Sequence, residues 1–310
     1  MSELRWSAPA EGGLFRLGRR VAGKGEYRGL TFHEVEARSI LNHVPGDRFG
    51  FSWTINPYRG CSHACVYCFA RPTHEYLNLN SGSDFDSEIV VKTNAVELAR
   101  AETAPGRWAG HLVAMGTNTD PYQAAEGKYR LTRGVVEVLT ERANPFSVLT
   151  KSTLVLRDLD LFREAAGRTD ISVNFSIGTL DPDVWRRTEP GTPHPRRRLE
   201  AVARLSEAGV RSSVLIAPIL PGLSDRPEQI AEVEEACRQA GAESVTTIRL
   251  HLRPGVKEHF MGWLAENRPD LVETYRRLYR GRSYLPGRKR HSGRARPQRQ
   301  EPAQASLPFD

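Results

Sequence analysis

The stretch Gly60-Cys61-Ser62-His63-Ala64-Cys65-Val66-Tyr67-Cys68-Phe69 determines how the rest of the chain is interpreted. Its cysteines have the spacing C-x3-C-x2-C, which brings three thiolates round one side of a short loop, close enough to hold a metal centre. Structural zinc sites and iron–sulfur cubes usually have four protein ligands. Three ligands without an evident fourth therefore indicate an iron–sulfur cluster with one iron left open for a small molecule.

A structural zinc site is the alternative interpretation of this loop. His63 or His74 would then supply the fourth ligand, because zinc sites built from three cysteines and one histidine are common. The spacing of the cysteines alone leaves both interpretations open.

The composition is that of an ordinary globular protein. The chain has 310 residues, of which 39% are hydrophobic and 26% are charged, so it is long enough for one large domain or two small ones. It has no apolar run that could span a bilayer and no signal-peptide character at its N-terminus, so we expect no membrane partner. Three of the four cysteines lie in the loop, so a disulfide framework is excluded, and a reducing, cytoplasmic location is expected.

The net charge of +7 is concentrated at the C-terminus. Residues 276–310 contain ten Lys or Arg against two acidic residues, which leaves 34 basic and 35 acidic residues in the remainder. Such a segment buries too little apolar surface to fold alone, so residues 282–310 are predicted to be a disordered basic tail. The tail is a candidate contact for nucleic acid, and a solvated tail without a partner is the alternative.

Apolar runs alternate with helical patterns from Phe51 onward. The predicted strands are Ser52–Ile55, His111–Met115, Phe146–Thr150, Ile171–Ile177, Arg211–Ile216 and Ser244–Leu250. The predicted helices are Thr93–Ala101, Tyr129–Arg142, Leu156–Ala166, Arg196–Ala208 and Pro227–Ala240. This alternation predicts an α/β fold of parallel βαβ units, and by itself it permits either a partial barrel or a doubly wound sheet. In both, ligands gather at the carboxyl ends of the strands.

Four regions follow from these patterns. Residues 1–50 are predicted to be an irregular lead-in, residues 51–255 the α/β core, residues 256–281 a C-terminal helical cap and residues 282–310 the basic tail.

The cysteine loop resembles the signature of radical S-adenosylmethionine (radical SAM) enzymes, which also have an aromatic residue such as Tyr67 just before the last cysteine. The resemblance implies a partial (β/α)6 barrel. It also implies a [4Fe–4S] cluster held by Cys61, Cys65 and Cys68, and S-adenosylmethionine (SAM) bound at the open iron. One electron, from a donor such as flavodoxin or ferredoxin, would cleave SAM and release a 5′-deoxyadenosyl radical.

The resemblance also assigns residues at the strand ends to SAM. Tyr67 would lie beside the adenine and Pro218 would pack on it. Lys151 would pair with the methionine carboxylate, and Ser176 would help to hold the methionine end. The amino group would be bound by the loop residues Thr117, Asn118, Thr119 and Asp120. Each has an ordinary alternative: a turn cap for the loop, a surface lysine, and a buried serine bonded to the backbone.

Within the superfamily, these motifs are similar to those of the spore photoproduct lyase-like branch, also called DNA repair photolyase-like. The lyase has a hydrogen-donating cysteine near the place of Thr117 and a second tyrosine in place of Phe69. An alkyl hydroxyl holds its hydrogen too tightly for that role, and a phenyl ring has none to give. The remaining thiol, Cys237, lies in a predicted outer helix and is interpreted as a small hydrophobic residue. Thymine-dimer repair by this relay is therefore not expected.

Two functions are compatible with the sequence. The first is a radical SAM enzyme whose substrate is unidentified, with a nucleic-acid base as the candidate. The second is a nucleic-acid-binding protein, stabilised by zinc or an iron–sulfur cluster, without radical catalysis.

Overall fold

A computed structural model of the protein describes residues 15–45 and 50–285. The strands are β1 Phe15–Ala22, β2 Thr31–Ala37, β3 Leu41–His43, β4 Trp53–Ile55, β5 Tyr58–Arg59, β6 Glu88–Lys92, β7 Val113–Met115, β8 Phe146–Thr150, β9 Ile171–Ser176, β10 Val214–Ile219 and β11 Val245–Arg249. The helices are α1 Ser83–Ser87, α2 Ala95–Glu102, α3 Ala124–Tyr129, α4 Leu131–Glu141, α5 Leu159–Ala166, α6 Pro182–Thr188, α7 Pro195–Glu207, α8 Pro227–Gln239, α9 Val256–Asn267 and α10 Val272–Leu278.

The main sheet has seven strands in the order β11-β10-β9-β8-β7-β4-β3. Its six strands β4, β7, β8, β9, β10 and β11 pair in parallel with their neighbours, and β3 is an antiparallel edge strand. Its two edge strands do not pair with each other, so within the described residues the barrel is open, as predicted. The predicted strand Phe146–Thr150 has the observed bounds, whereas the fifth strand begins and ends three residues later than predicted.

The lead-in was predicted to be irregular, and this is wrong for its described part. Strands β1 and β2 join β6 and β5 in a second sheet, in the order β1-β2-β6-β5, and β3 joins the main sheet. Strand β2 pairs in parallel with β6, which lies far from it in the sequence. Strand preference depends strongly on packing against neighbouring strands, so the sequence of β2 taken alone did not predict a strand.

The main core lies between the parallel sheet and the helices that follow its strands. Phe146 and Phe175 on the sheet are fully buried against the same cluster as Val136 of α4 and Leu205 of α7. Each such side chain contributes about 1.5–3 kcal/mol through burial. This core fixes the carboxyl ends of β4 and β7 to β11 at one edge.

A second core joins the C-terminal cap to the cysteine loop. Phe260 and Leu264 of α9 and Tyr275 of α10 pack in one cluster with Cys65 and Tyr67. The cap therefore helps to hold the loop in place. None of the helices between residues 15 and 285 that the structure describes is long and apolar enough to cross a membrane.

The ordered chain continues beyond the predicted start of the basic tail. Residues 282–285 are described, and the Leu252 amide donates to the Ser283 carbonyl (3.0 Å). The predicted disorder of residues 286–310 lies outside the described residues.

Candidate active site

The cysteine loop begins at the carboxyl end of β5 with a glycine that no other residue could replace without strain. Gly60 has φ of 79°, and a Cβ there would lie 2.8 Å from His74 Cε1 and 3.0 Å from the Phe85 carbonyl oxygen. The next amide, of Cys61, donates to the same Phe85 carbonyl (2.9 Å). Tight turns follow, in which the Cys68 amide donates to the Cys65 carbonyl (3.2 Å).

Two contacts brace the loop from outside. The fully buried guanidinium of Arg71 donates to the Cys65 carbonyl through Nε (3.1 Å) and Nη2 (2.9 Å), and it is neutralised by Asp86 (2.9 Å). On the other side, the Val66 amide donates to the Thr188 carbonyl (3.1 Å). The position of the loop is therefore fixed by groups that are not themselves candidate ligands.

The three thiols lie in surroundings that oppose their ionisation. Burial raises the pKa of Cys61, Cys65 and Cys68, and the negative charge of Asp120 and of the other two cysteines raises the pKa of Cys61 further. Three thiolates so close together need a cation, and a coordinating thiol is deprotonated by its metal. The donor set therefore fits a cationic metal centre.

The two histidines of the zinc alternative each contact another group of the protein through one ring nitrogen. Ligands of one zinc ion lie about 2.3 Å from it. Within residues 15–45 and 50–285, no three His, Cys, Asp or Glu side chains converge to hold a single metal ion. His63 Nδ1 instead lies 3.3 Å from Asp120, and His74 Nε2 lies 2.9 Å from the Glu88 carbonyl oxygen. In an iron–sulfur cluster each cysteine ligates a different iron, so the three thiols need not converge on one ion.

All the residues predicted to contact SAM line one cavity of about 250 Å³ with the three cysteines. The cavity lies at the carboxyl ends of the parallel strands. Its predicted lining residues are Tyr67, Thr117, Asn118, Thr119, Asp120, Lys151, Ser176 and Pro218. The structure thus brings these residues together, while their individual roles toward SAM stay predictions.

The loop after β7 reaches the cavity because of a second special glycine. Gly116 has φ of 97°, and a Cβ there would lie 2.0 Å from the Leu149 carbonyl oxygen. The side chains that follow have different surroundings. Thr119 donates to the Gly60 carbonyl, whereas Asn118 is exposed.

Asp120 is largely occupied by hydrogen bonds within the protein. Its carboxylate accepts from the Lys151 amide (2.7 Å), the Thr150 hydroxyl (2.7 Å) and the Tyr122 amide (2.9 Å). Although burial opposes it, His63 and these hydrogen bonds lower the pKa of Asp120. Asp120 therefore remains ionised and fixes the backbone that positions Lys151.

The Lys151 ammonium lies at the centre of a buried polar network. It donates to Ser176 Oγ (2.6 Å) and forms an ion pair with Glu189 Oε1 (3.0 Å). Glu189 also accepts from the Tyr67 hydroxyl and from the fully buried Arg198. Arg198 and Lys151 lower the pKa of Glu189 far below its usual range, against the effect of burial. The network joins the cysteine loop to the ends of β8 and β9.

Sequence reasoning missed Glu189 and Arg198. Arg198 lies in the predicted helix Arg196–Ala208, where a charged side chain is expected to be exposed, but it is buried and donates to the Ser176 carbonyl (2.9 Å). Glu189 follows the short helix α6, which the periodicity did not predict. The adjoining Gly191, where a Cβ would lie 2.2 Å from the Ser62 carbonyl oxygen, holds this segment against the cysteine loop.

Comparison with known proteins decides between the two functions. The sequence profile of the Radical SAM superfamily matches residues 55–233, more than half of the chain. The chain belongs to the radical SAM superfamily. The protein is accordingly an enzyme, and a binding protein without radical catalysis is no longer supported.

Relatives and solved structures agree with this family. An uncharacterized protein of Mycobacterium tuberculosis is 47% identical over 276 residues, which cover 88% of this chain and 81% of the relative. A "Radical SAM Nalpha-GlyT isomerase" of Pseudomonas phage M6 is 24% identical over 54% of this chain and 33% of its own length. A spore photoproduct lyase variant with bound AdoMet and dinucleoside spore photoproduct has a TM-score of 0.59 at 18% identity, covering 83% of this chain and 74% of that chain. The last likeness concerns the fold.

Radical SAM enzymes use a [4Fe–4S] cluster and SAM, and the site fits both groups. The cysteine loop offers three thiols at the cavity, which combines apolar walls with the cation of Lys151 and the hydroxyl of Ser176. The predicted departures from the lyase also line the cavity: Thr117, and Phe69, which is 49% exposed.

Proposed function

We propose that the protein cleaves SAM reductively and directs the resulting radical at a nucleic-acid base. When bound, the reduced cluster supplies the electron that splits SAM into methionine and a 5′-deoxyadenosyl radical. The observation that carries the proposal is the single cavity in which Cys61, Cys65 and Cys68 meet the predicted SAM contacts.

Each part of the cavity has an assigned task in this proposal. The Lys151 ammonium and Ser176 hydroxyl bind the methionine carboxylate, and the loop 117–120 receives the amino group, chiefly through the accessible Thr117 and Asn118. Tyr67 and Pro218 contact the adenine. Glu189 holds Lys151 and Tyr67 in position rather than contacting the reacting atoms.

The nucleic-acid part of the proposal draws on two further features. The basic segment 288–299 contains six Lys or Arg, which suits a polyanion. In addition, the phage relative is named as a radical SAM isomerase. The spore photoproduct lyase variant, which is similar in fold, has a dinucleoside bound. A base would be unstacked to reach the cavity, at a cost of a few kcal/mol. The electron donor would be a flavodoxin or ferredoxin.

The test is a hydrogen-transfer experiment on reconstituted protein without oxygen. We would incubate it with a reductant, SAM and an oligonucleotide deuterated on its bases. The proposal predicts faster formation of 5′-deoxyadenosine and its enrichment in deuterium. Equal formation without nucleic acid, and no deuterium transfer, would leave the radical chemistry in place and exclude the nucleic-acid substrate.

A further inference from the structure

Side chains alternate between two faces after the last strand of the main sheet. Leu250 and Leu252 are each 1% exposed and pack in the second core, under the C-terminal cap. Alternation in an extended chain therefore places Arg249, His251 and Arg253 on the opposite face. Arg249 and His251 line the cavity that holds the cysteines, as does Leu250 between them, whereas Arg253 is not among its lining residues.

Tyr284 adds an aromatic surface to this row. Its ring stacks on His251, with centroids 3.6 Å apart and an interplanar angle of 14°, and the two residues form a β-bridge. The hydrogen bond between Leu252 and Ser283 fixes the backbone beside them. Tyr284 is nevertheless 59% exposed. We call Arg249, His251, Arg253 and Tyr284 the mouth strip.

The mouth strip carries positive charge that the described protein does not neutralise. Among residues 15–45 and 50–285, neither Arg249 nor Arg253 forms an ion pair with a carboxylate, and the buried Nε of Arg253 has no hydrogen-bond partner. The other cations of the site do have such partners, as in the pairs of Lys151 and Arg198 with Glu189. In native proteins a buried donor of this kind is paired with an ordered water, an ion or a ligand group.

We propose that the mouth strip binds a single strand of nucleic acid next to the cavity, which deepens and rests on the proposed function. The two guanidiniums contact phosphodiesters, and a base beside the target stacks on Tyr284. Phosphate contacts combined with aromatic stacking are how proteins bind single strands without reading their sequence. The described chain ends at Leu285, beside the strip, and its sequence continues into the basic segment 288–299.

Binding to the full-length protein without cluster or SAM tests the strip separately from radical chemistry. We would measure the fluorescence anisotropy of a labelled single-stranded oligothymidylate over a series of salt concentrations. The variant R249Q/R253Q removes two phosphate contacts, so the slope of log K against log salt becomes shallower by about 1.4. The control R142Q/R204Q makes the same charge change near the ends of α4 and α7, away from the mouth strip.

Stacking is tested by a second pair of variants. Because Tyr284 is exposed, its replacement leaves the core intact. Y284A is expected to weaken binding by about 5- to 150-fold, the range for loss of one stacked base. Y284F keeps the ring and should restore the wild-type affinity.

Three results would overturn the proposed role of the mouth strip. The first is a salt slope in R249Q/R253Q equal to that of the control, and the second is a Y284A affinity equal to wild type. The third is displacement of the strand by thymidine monophosphate at an equal concentration of nucleotides, because the site would then take single nucleotides. Failure of the hydrogen-transfer experiment despite the expected binding results would count against the proposed function alone.

Discussion

The buried network around Glu189 allows the effect of one substitution on the free energy of unfolding to be predicted. Replacing Glu189 by Gln keeps the shape of the side chain and removes its charge. The Lys151 ammonium, 3.0 Å away, and the fully buried Arg198 would then lose their shared carboxylate. Breaking a buried ion pair in this way costs about 3–5 kcal/mol, because an uncompensated charge remains in the interior. We expect E189Q to lower the free energy of unfolding by about that amount at neutral pH.

The same substitution should change how stability depends on pH. The folded-state pKa of Glu189 is far below its unfolded value of about 4.3, so its contribution is complete above that value and is lost as the pH falls toward the folded pKa. The difference between wild type and E189Q should therefore shrink in acid. Denaturant unfolding of the protein without cofactors, at neutral and acidic pH, measures both effects.

A matched variant identifies the refuting result. Glu200 is an exposed glutamate on α7, so E200Q makes the same chemical change outside the network. The reasoning is wrong if E189Q unfolds at the same denaturant concentration as E200Q at neutral pH.

Three further substitutions test other parts of the account. G116A should destabilise the protein by more than about 2 kcal/mol, because its Cβ would clash with the Leu149 carbonyl oxygen at a positive φ. The control G106A also adds a Cβ at a positive φ, but there the Cβ meets open space. Thermal unfolding compares the two variants. K151M should weaken SAM binding about 10- to 150-fold with unchanged iron content, as titration calorimetry would show, and unchanged affinity would contradict the assigned role. C237S should lower the free energy of unfolding by about 1–3 kcal/mol, because it buries a hydroxyl on α8. Iron content and SAM cleavage should stay at wild-type levels. Loss of iron would identify Cys237 as a cluster ligand.

The strand-and-helix alternation of the core was predictable because each element has its own local pattern of apolar and turn residues. Runs such as Phe146–Thr150 are bounded by turn residues, and Pro227 marks the start of its helix. The second sheet was not predictable, since β2 depends on a partner that local periodicity cannot indicate. Lead-in strands rich in charged residues resemble loops until that partner is known.

In the candidate site, too, some residues were predictable from the sequence and others were not. The cysteines and the polar residues after β7 and β8 were found because ligands gather at strand ends and their spacing is local. Glu189 and Arg198 were missed because charged residues are usually exposed, and only the packed fold shows that both are buried and paired. Asp120 stays a predicted contact of the SAM amino group, and the sequence could not show that its carboxylate also accepts a hydrogen bond from the Lys151 amide.

The radical SAM chemistry is tested on protein purified without oxygen and reconstituted with iron and sulfide. Iron would be counted, and the EPR spectrum of the reduced protein would be recorded before and after SAM is added. We predict a [4Fe–4S]+ signal that changes with SAM, followed by 5′-deoxyadenosine, and loss of both when Cys61, Cys65 or Cys68 is replaced by Ala. Stoichiometric zinc without a cluster, or 5′-deoxyadenosine formation that survives one of these substitutions, would show that the three cysteines do not hold a SAM-cleaving cluster.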